Sequence, residues 1–358
     1  MSALTYLPPD VIEDILPFLP AKSLGRFKSV SKRWYSLISS PEFIKTHVRN
    51  YTKNNPNPNP AHLVLIPGWG DSIYSLDIKQ LNTQPAPETL TAKRLNIHES
   101  WLNVLGSCNG LLLVYHNHLD LCLVNATTGK TLKVPDGMYM DTYGFGYDSS
   151  TDDYKIISIS EMYIHDSAPD TKSVQVYSLR KKSWNMLPNF PYQPHIAYGR
   201  SPGLLLNNNL HWIVQGRRSE MTIAAFSLSH EKFHEIEVPD SFLFSQIFAL
   251  GGKLVAPVVC NGGPCPEFRC ELWVMEEYDV CKSWTKRYIF ESNSVLDYLF
   301  FAQISNRDIL LGHNLEGEII MYNMDEKRCT SVTIEGCEEG FEVHGMYVES
   351  LESLERFG

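Results

Sequence analysis

From residue 62 onward the sequence repeats one local pattern: an alternating apolar run, a polar turn, and an aromatic or apolar residue seven positions on. It reads Val174-Gln175-Val176-Tyr177 then Trp184, Ile223-Ala224-Ala225-Phe226 then Phe233, and Ile319-Ile320-Met321-Tyr322 then Cys329. Related hairpins can be drawn through 73–97, 120–134 and 272–290, the last with a longer turn before Trp284. The marker residues Thr131, Trp184, Phe233, Trp284 and Cys329 stand 53, 49, 51 and 45 apart. A period of that size accommodates four short strands, and such a unit cannot bury its own faces, so the units must stack. Each unit also carries a second, more apolar hairpin, as in 110–114, 203–214 and 249–256, which predicts inner strands covered on both faces.

Six outer hairpins predict a mainly β domain over 62–358, a six-bladed propeller with kelch-like spacing. A ring must close, and the run Phe341–Val348 after the sixth hairpin is placed to complete the first blade and remove the open edge. A pair of β-sandwiches is the competing arrangement.

Residues 1–50 follow a different rule. Pro8-Pro9-Asp10 opens a helix whose stripe is Val11, Ile12, Ile15, Leu16 and Leu19, and Pro20 stops it. Pro17 removes a backbone donor inside that stripe, so the helix should kink or end early. Ser23 is placed to cap a turn carrying Leu24 and Phe27, and Ser31 a helix carrying Trp34, Leu37 and Ile38. A last helix starts at Ser40-Pro41-Glu42, with Phe43, Ile44, His47 and Val48 along one side. Fifty residues cannot shelter this much apolar surface, which implies a partner protein. Residues 51–61, centred on the Pro/Asn tract Asn54–Pro60, read as an extended linker.

Composition narrows the function classes. The net charge is −10, yet residues 1–50 hold seven Lys/Arg against four acids, leaving about −13 for the remainder. That larger part is a poor match for nucleic acid. No apolar run is long enough to cross a bilayer as a helix and the N-terminus does not read as a signal peptide, so the expectation is a cytoplasmic or nuclear protein with its eight cysteines as free thiols.

The N-terminal residues Leu7–Leu16, Leu19–Leu24, Arg26–Trp34 and Leu37-Ile38 resemble the F-box. The resemblance implies a Skp-type adaptor as partner and, through it, the cullin scaffold of a ubiquitin ligase. The adaptor-binding candidates are Leu7, Pro8, Ile12, Ile15, Leu16, Leu19, Pro20, Leu24, Val30 and Trp34, aliphatic anchors and one aromatic suited to pockets on another protein, with part of the set needed for the module's own core. The acid-free basic positions Lys22, Arg26, Lys28, Lys32 and Arg33 suit an acidic partner.

The larger part resembles the plant F-box-associated interaction domain through Gly106-Ser107-Cys108-Asn109-Gly110-Leu111-Leu112, Gly144-Phe145-Gly146-Tyr147-Asp148 with Asp152-Asp153-Tyr154-Lys155-Ile156, and Leu272–Tyr278 before Ser283-Trp284-Thr285-Lys286. Asn125-Ala126-Thr127-Thr128-Gly129 departs from that family's usual Asn-Pro turn. The family's C-terminal region is a substrate receptor, and its members resemble S-locus F-box proteins and regulators of immune-receptor turnover. The target protein, and the branch, are not set by these residues. Loop positions of interface type are Trp69, Tyr139, Tyr143, Tyr163, Tyr192, Tyr198 and Arg217-Arg218.

Chemistry of its own finds little footing. Gly199-Arg200-Ser201-Pro202-Gly203 has the spacing of a nucleophile elbow, but Pro202 lacks the N–H an oxyanion hole requires. Cys260, Cys265, Cys270 and Cys281 lack paired two-residue zinc spacing, and His116 and His118 have no third ligand nearby. Gly144-Phe145-Gly146 lacks the third glycine of a phosphate loop. The expectation is a non-catalytic receptor without metal or cofactor. The alternatives are a propeller enzyme or carbohydrate-binding module, or an F-box scaffold outside any ligase.

Overall fold

The computed structural model describes residues 9–53 and 62–357, apart from 68–71, 83–86, 96, 98–100, 117–119, 136–141, 163–170, 189–191, 195–201, 216–220, 240–243, 245, 260–267, 293–297, 304–307, 314–315 and 338–339. Four helices, α1 (Pro9–Ile15), α2 (Ala21–Phe27), α3 (Lys32–Ile38) and α4 (Pro41–Lys53), precede six sheets, antiparallel but for one added strand, arranged as a six-bladed propeller.

Blade 2 runs through Trp101–Cys108, Leu111–His116, Asp120–Asn125 and Lys130–Val134, each strand paired with the next. Blade 3 repeats the order with Thr142–Asp148, Asp153–Met162, Thr171–Ser178 and Ser183–Leu187. Blade 4 places Leu204–Leu206 and Gln193–Pro194 on one side of Asn209–Gln215, then Met221–Ser227 and Lys232–Ile236. Blade 5 holds Phe248–Leu250, Lys253–Val259, Phe268–Met275 and Trp284–Ser292, and blade 6 holds Tyr298–Gln303, Asp308–His313, Glu318–Asn323 and Arg328–Glu335. Blade 1 closes the ring. Its strands His62–Pro67, Tyr74–Asp77 and Lys93–Arg94 follow the linker, and Phe341–Tyr347 joins them from the other end of the chain, pairing His62 with Tyr347.

The seven-residue spacing has a geometric cause. Tyr177 stands opposite Trp184, Phe226 opposite Phe233 and Tyr322 opposite Cys329 across their hairpins. The rings of the first two pairs lie 5.1 and 4.8 Å apart. The connecting turns carry a left-handed residue two places before four of the five markers, at Gly129, Lys182, Glu231 and Lys327, while the longer turn before Trp284 has its left-handed residue at Asp279. The repeat is therefore one turn and one cross-strand pair, written again in successive blades.

Six apolar clusters fill the seams between blades. Leu113, Phe145 and Ile156 join blades 2 and 3, Trp212 and Ile159 blades 3 and 4, and Phe290 and Tyr322 blades 5 and 6. Leu65 and Met321 share the seam between the last blade and the first. There Thr89–Thr91 adds a parallel strand to Arg328–Glu335 before the chain returns to blade 1, a second clasp that period alone did not announce.

Three expectations are corrected. The last helix continues to Lys53, three residues past 50, because nothing in 49–53 breaks it. Ser23 caps nothing: α2 starts at Ala21 behind Pro20, with no side-chain cap. Tyr143 and Tyr192 are buried instead of displayed on loops, Tyr143 in an inner strand with its hydroxyl 2.9 Å from that of Tyr115. The other interface-type positions, Trp69, Tyr139, Tyr163, Tyr198 and Arg217-Arg218, lie outside the described residues, as do Cys260, Cys265 and His118.

Candidate protein-binding surface

Pro17 shapes the first helix as its chemistry requires. α1 ends at Ile15 and Leu16–Phe18 tightens into a 3₁₀ turn whose closing bond runs from Leu19 N–H to the Leu16 carbonyl at 3.0 Å. Ser31 and Ser40 accept from the N–H groups of Trp34 and Phe43, each at 3.2 Å, capping α3 and α4. These stops fold the four helices around Leu16, Ala21, Leu24, Ile38, Phe43 and Ile44. His47 on α4 donates to the Leu19 carbonyl at 2.9 Å, and its burial lowers the ring's pKa, favouring the neutral form.

The small core leaves much of the module's apolar surface in solvent. Val11 is 38% exposed, Ile15 47%, Phe18 63%, Val30 61% and Tyr35 59%. Among the described residues only eight large apolar side chains are this exposed, and five of them lie within residues 9–53. On the much larger ring the set is Met186, Val280 and Ile289. Concentration of that kind on one small domain makes this face the candidate protein-binding surface.

The ten adaptor candidates divide accordingly. Ile15, Val30 and Pro20 are exposed, while Ile12, Leu19 and Trp34 are half-buried, with Trp34 edge-on to Phe27 at 5.4 Å. Leu16 and Leu24 are 2% and 0% exposed. Their side chains build the module's core and are not available to a partner, which corrects their place in the set. Leu7 and Pro8 lie outside the described residues. Phe18 and Tyr35 were not picked out. The signal for Phe18 was its place after the helix-ending Pro17, which turns it off the buried stripe.

The basic positions are partly engaged at home. Lys22 ion-pairs with Glu349, and Arg33 meets Glu13 at 3.1 Å. Burial and the neighbouring Lys130 lower the Lys28 pKa, against Glu355. Arg26 and Lys32 are exposed.

The ring carries one buried ionic cluster. Lys155 reaches Asp148 at 3.0 Å and Glu231 at 2.8 Å, and donates to the Leu228 carbonyl at 2.7 Å, tying blade 3 to the outer turn of blade 4. Burial opposes the Asp148 charge, but donors from Ser150, Thr151 and Lys155 outweigh it and hold the carboxyl far below the usual range. All three lysine partners are acceptors, so the cluster is a saturated tie. Six free cysteines are described; burial pushes the Cys108 thiol up to about 12. No group of three metal-ligating side chains occurs among the described residues.

The sequence pattern of the F-box domain matches residues 4–46, and that of the F-box associated beta propeller domain matches residues 70–354. The chain belongs to the F-box proteins with an associated propeller. F-box protein CPR1 of Arabidopsis thaliana is 28% identical to it, over 96% of this chain and 88% of that protein. F-box/kelch-repeat protein At3g23880 of the same plant is 28% identical over 93% of each. F-box protein At4g22390 is 26% identical over 93% of this chain and 87% of its own length. The apolar side chains of this F-box protein thus face solvent on the domain for which its family is named.

Proposed function

We propose that this F-box protein is the non-catalytic substrate receptor of a cullin-based ubiquitin ligase. The exposed apolar set on its F-box carries the reading: Ile15, Phe18 and Val30, with Val11 and Tyr35 exposed on the same domain, dock on a Skp-type adaptor. The adaptor joins the receptor to the cullin scaffold in cytoplasm or nucleus, and the propeller holds a target protein. Ubiquitin transfer is then promoted by proximity, with no side chain of this chain reacting.

The F-box lies toward one end of the ring. Lys45 of α4 meets Asp152 in the turn between the first two strands of blade 3 at 2.6 Å, and Lys22 meets Glu349 where the closing strand ends. We place the target on the opposite end, which the F-box leaves free. Co-purification of the full-length chain with a Skp-type adaptor tests the reading. Binding by the wild type that Ile15→Asp and Val30→Asp abolish supports it, and a wild-type protein that ignores the adaptor ends it.

A further inference from the structure

The run Glu349–Phe357 after the closing strand touches two bodies at once. Toward the F-box, Leu351 is buried in the same cluster as Leu16, Leu24, Ile38, Phe43 and Ile44, and Glu349 ion-pairs with Lys22. Toward the ring, Leu354 and Phe357 complete the seam between blades 2 and 3. The Ser350 N–H donates to the Thr127 hydroxyl at 2.9 Å, and the Tyr154 hydroxyl donates to the Glu352 carboxylate at 3.1 Å. The fit is close: a Cβ on Gly110, whose φ is +79°, would stand 2.2 Å from that of Ser350.

A core that takes one of its seven buried members from the far end of the chain is complete only when that end is docked. In sequence the F-box and the ring are joined through the Pro/Asn tract Asn54–Pro60. The segment Glu349–Phe357 joins them again through side-chain contacts.

We propose that Glu349–Phe357 is a clamp that holds the F-box at one orientation on the propeller, making Leu351, Glu349 and Lys22 positioning residues for delivery of the target. This rests on the receptor reading above, because a receptor promotes transfer only if adaptor and target are held in a productive relative geometry. A loose joint would spread the target over many distances from the conjugating enzyme and dilute its effective concentration.

The test uses the full-length chain as wild type, Leu351→Asp, Glu349→Lys, and the charge exchange Lys22→Glu with Glu349→Lys. Three quantities are read: maximum dimension by small-angle X-ray scattering, the rate of proteinase K cleavage between residues 53 and 62, and adaptor co-purification. The clamp predicts a larger maximum dimension and cleavage about tenfold faster in both single variants, with adaptor binding retained and the charge exchange restoring both quantities toward wild type. Wild-type dimensions and cleavage in both single variants overturn it. Should Leu351→Asp also lose the adaptor, the F-box itself has melted, and Glu349→Lys with its exchange decides alone. Failure of the wild type to bind the adaptor removes the receptor reading but leaves the scattering comparison as a test of the clamp.

Discussion

The side-chain amide of Asn125 donates to the backbone carbonyl of Glu352 at 2.8 Å, binding the end of the third strand of blade 2 to a segment 227 residues further along. The same amide reaches the Ser350 carbonyl at 3.2 Å, and its oxygen accepts from the N–H groups of Thr127 and Thr128. One fully buried side chain thus shapes a turn and fastens the C-terminal segment.

Asn125→Ala leaves two carbonyls and two N–H groups short of partners and should cost on the order of 2–4 kcal/mol, given about 1–3 kcal/mol for each buried polar group left unpaired. Asn125→Asp should cost at least as much, since a carboxylate then faces two carbonyl oxygens. Urea unfolding followed by tryptophan fluorescence measures both; a loss under about 0.5 kcal/mol for Asn125→Ala would show that the tie carries no weight.

Exposure separates neighbours in α1 and the turn after it. Ile15→Asp should leave the folded chain within about 0.5 kcal/mol of wild type while weakening adaptor binding by about 2 kcal/mol or more, roughly thirtyfold. Leu16→Asp should unfold the F-box, because it puts a charge in the module's core. Far-UV circular dichroism and adaptor affinity, measured together, distinguish a lost surface from a lost domain.

Lys155→Met takes the cation from the buried Asp148 carboxylate, leaving it the Ser150 and Thr151 donors, and should cost about 3 kcal/mol, the low end for a broken buried pair. Glu231→Gln removes only the charge of the more exposed partner, keeps an acceptor oxygen, and should cost under about 1 kcal/mol. The thermal midpoints of the two variants should therefore differ widely; equal shifts would mean that blade 3 and blade 4 are not held together through this lysine.

Acid should act on two carboxyls in opposite senses. Burial raises the Glu352 pKa against the pull of Arg356 and Tyr154, so its contribution to stability is fully present below the ordinary glutamate value and declines as pH rises through the folded-state value. Asp148 is held low, so its contribution is present above the ordinary aspartate value of about 4 and is lost as pH falls below it. Glu352→Gln should flatten the decline in melting temperature as pH rises above the ordinary glutamate value without altering the loss at low pH. A wild-type-like profile in that variant would remove Glu352 as its source.

Local chemistry was enough to write the repeat and the helix stops. Seven-residue spacing is a cross-strand pair closed by one turn, and Pro17 lacks a donor wherever it is put, so each was legible without knowing its neighbours. Only the tertiary structure decided which side of the helical stripe is inside. Ile15 and Leu16 are adjacent and equally greasy, and what separates them is the position of α4 and of Leu351, more than three hundred residues away. Asn125 and Lys155 looked like an irregular turn and a family motif for the same reason: their partners come from the C-terminal segment and the next blade, and no local pattern encodes a contact that exists only after the ring has closed.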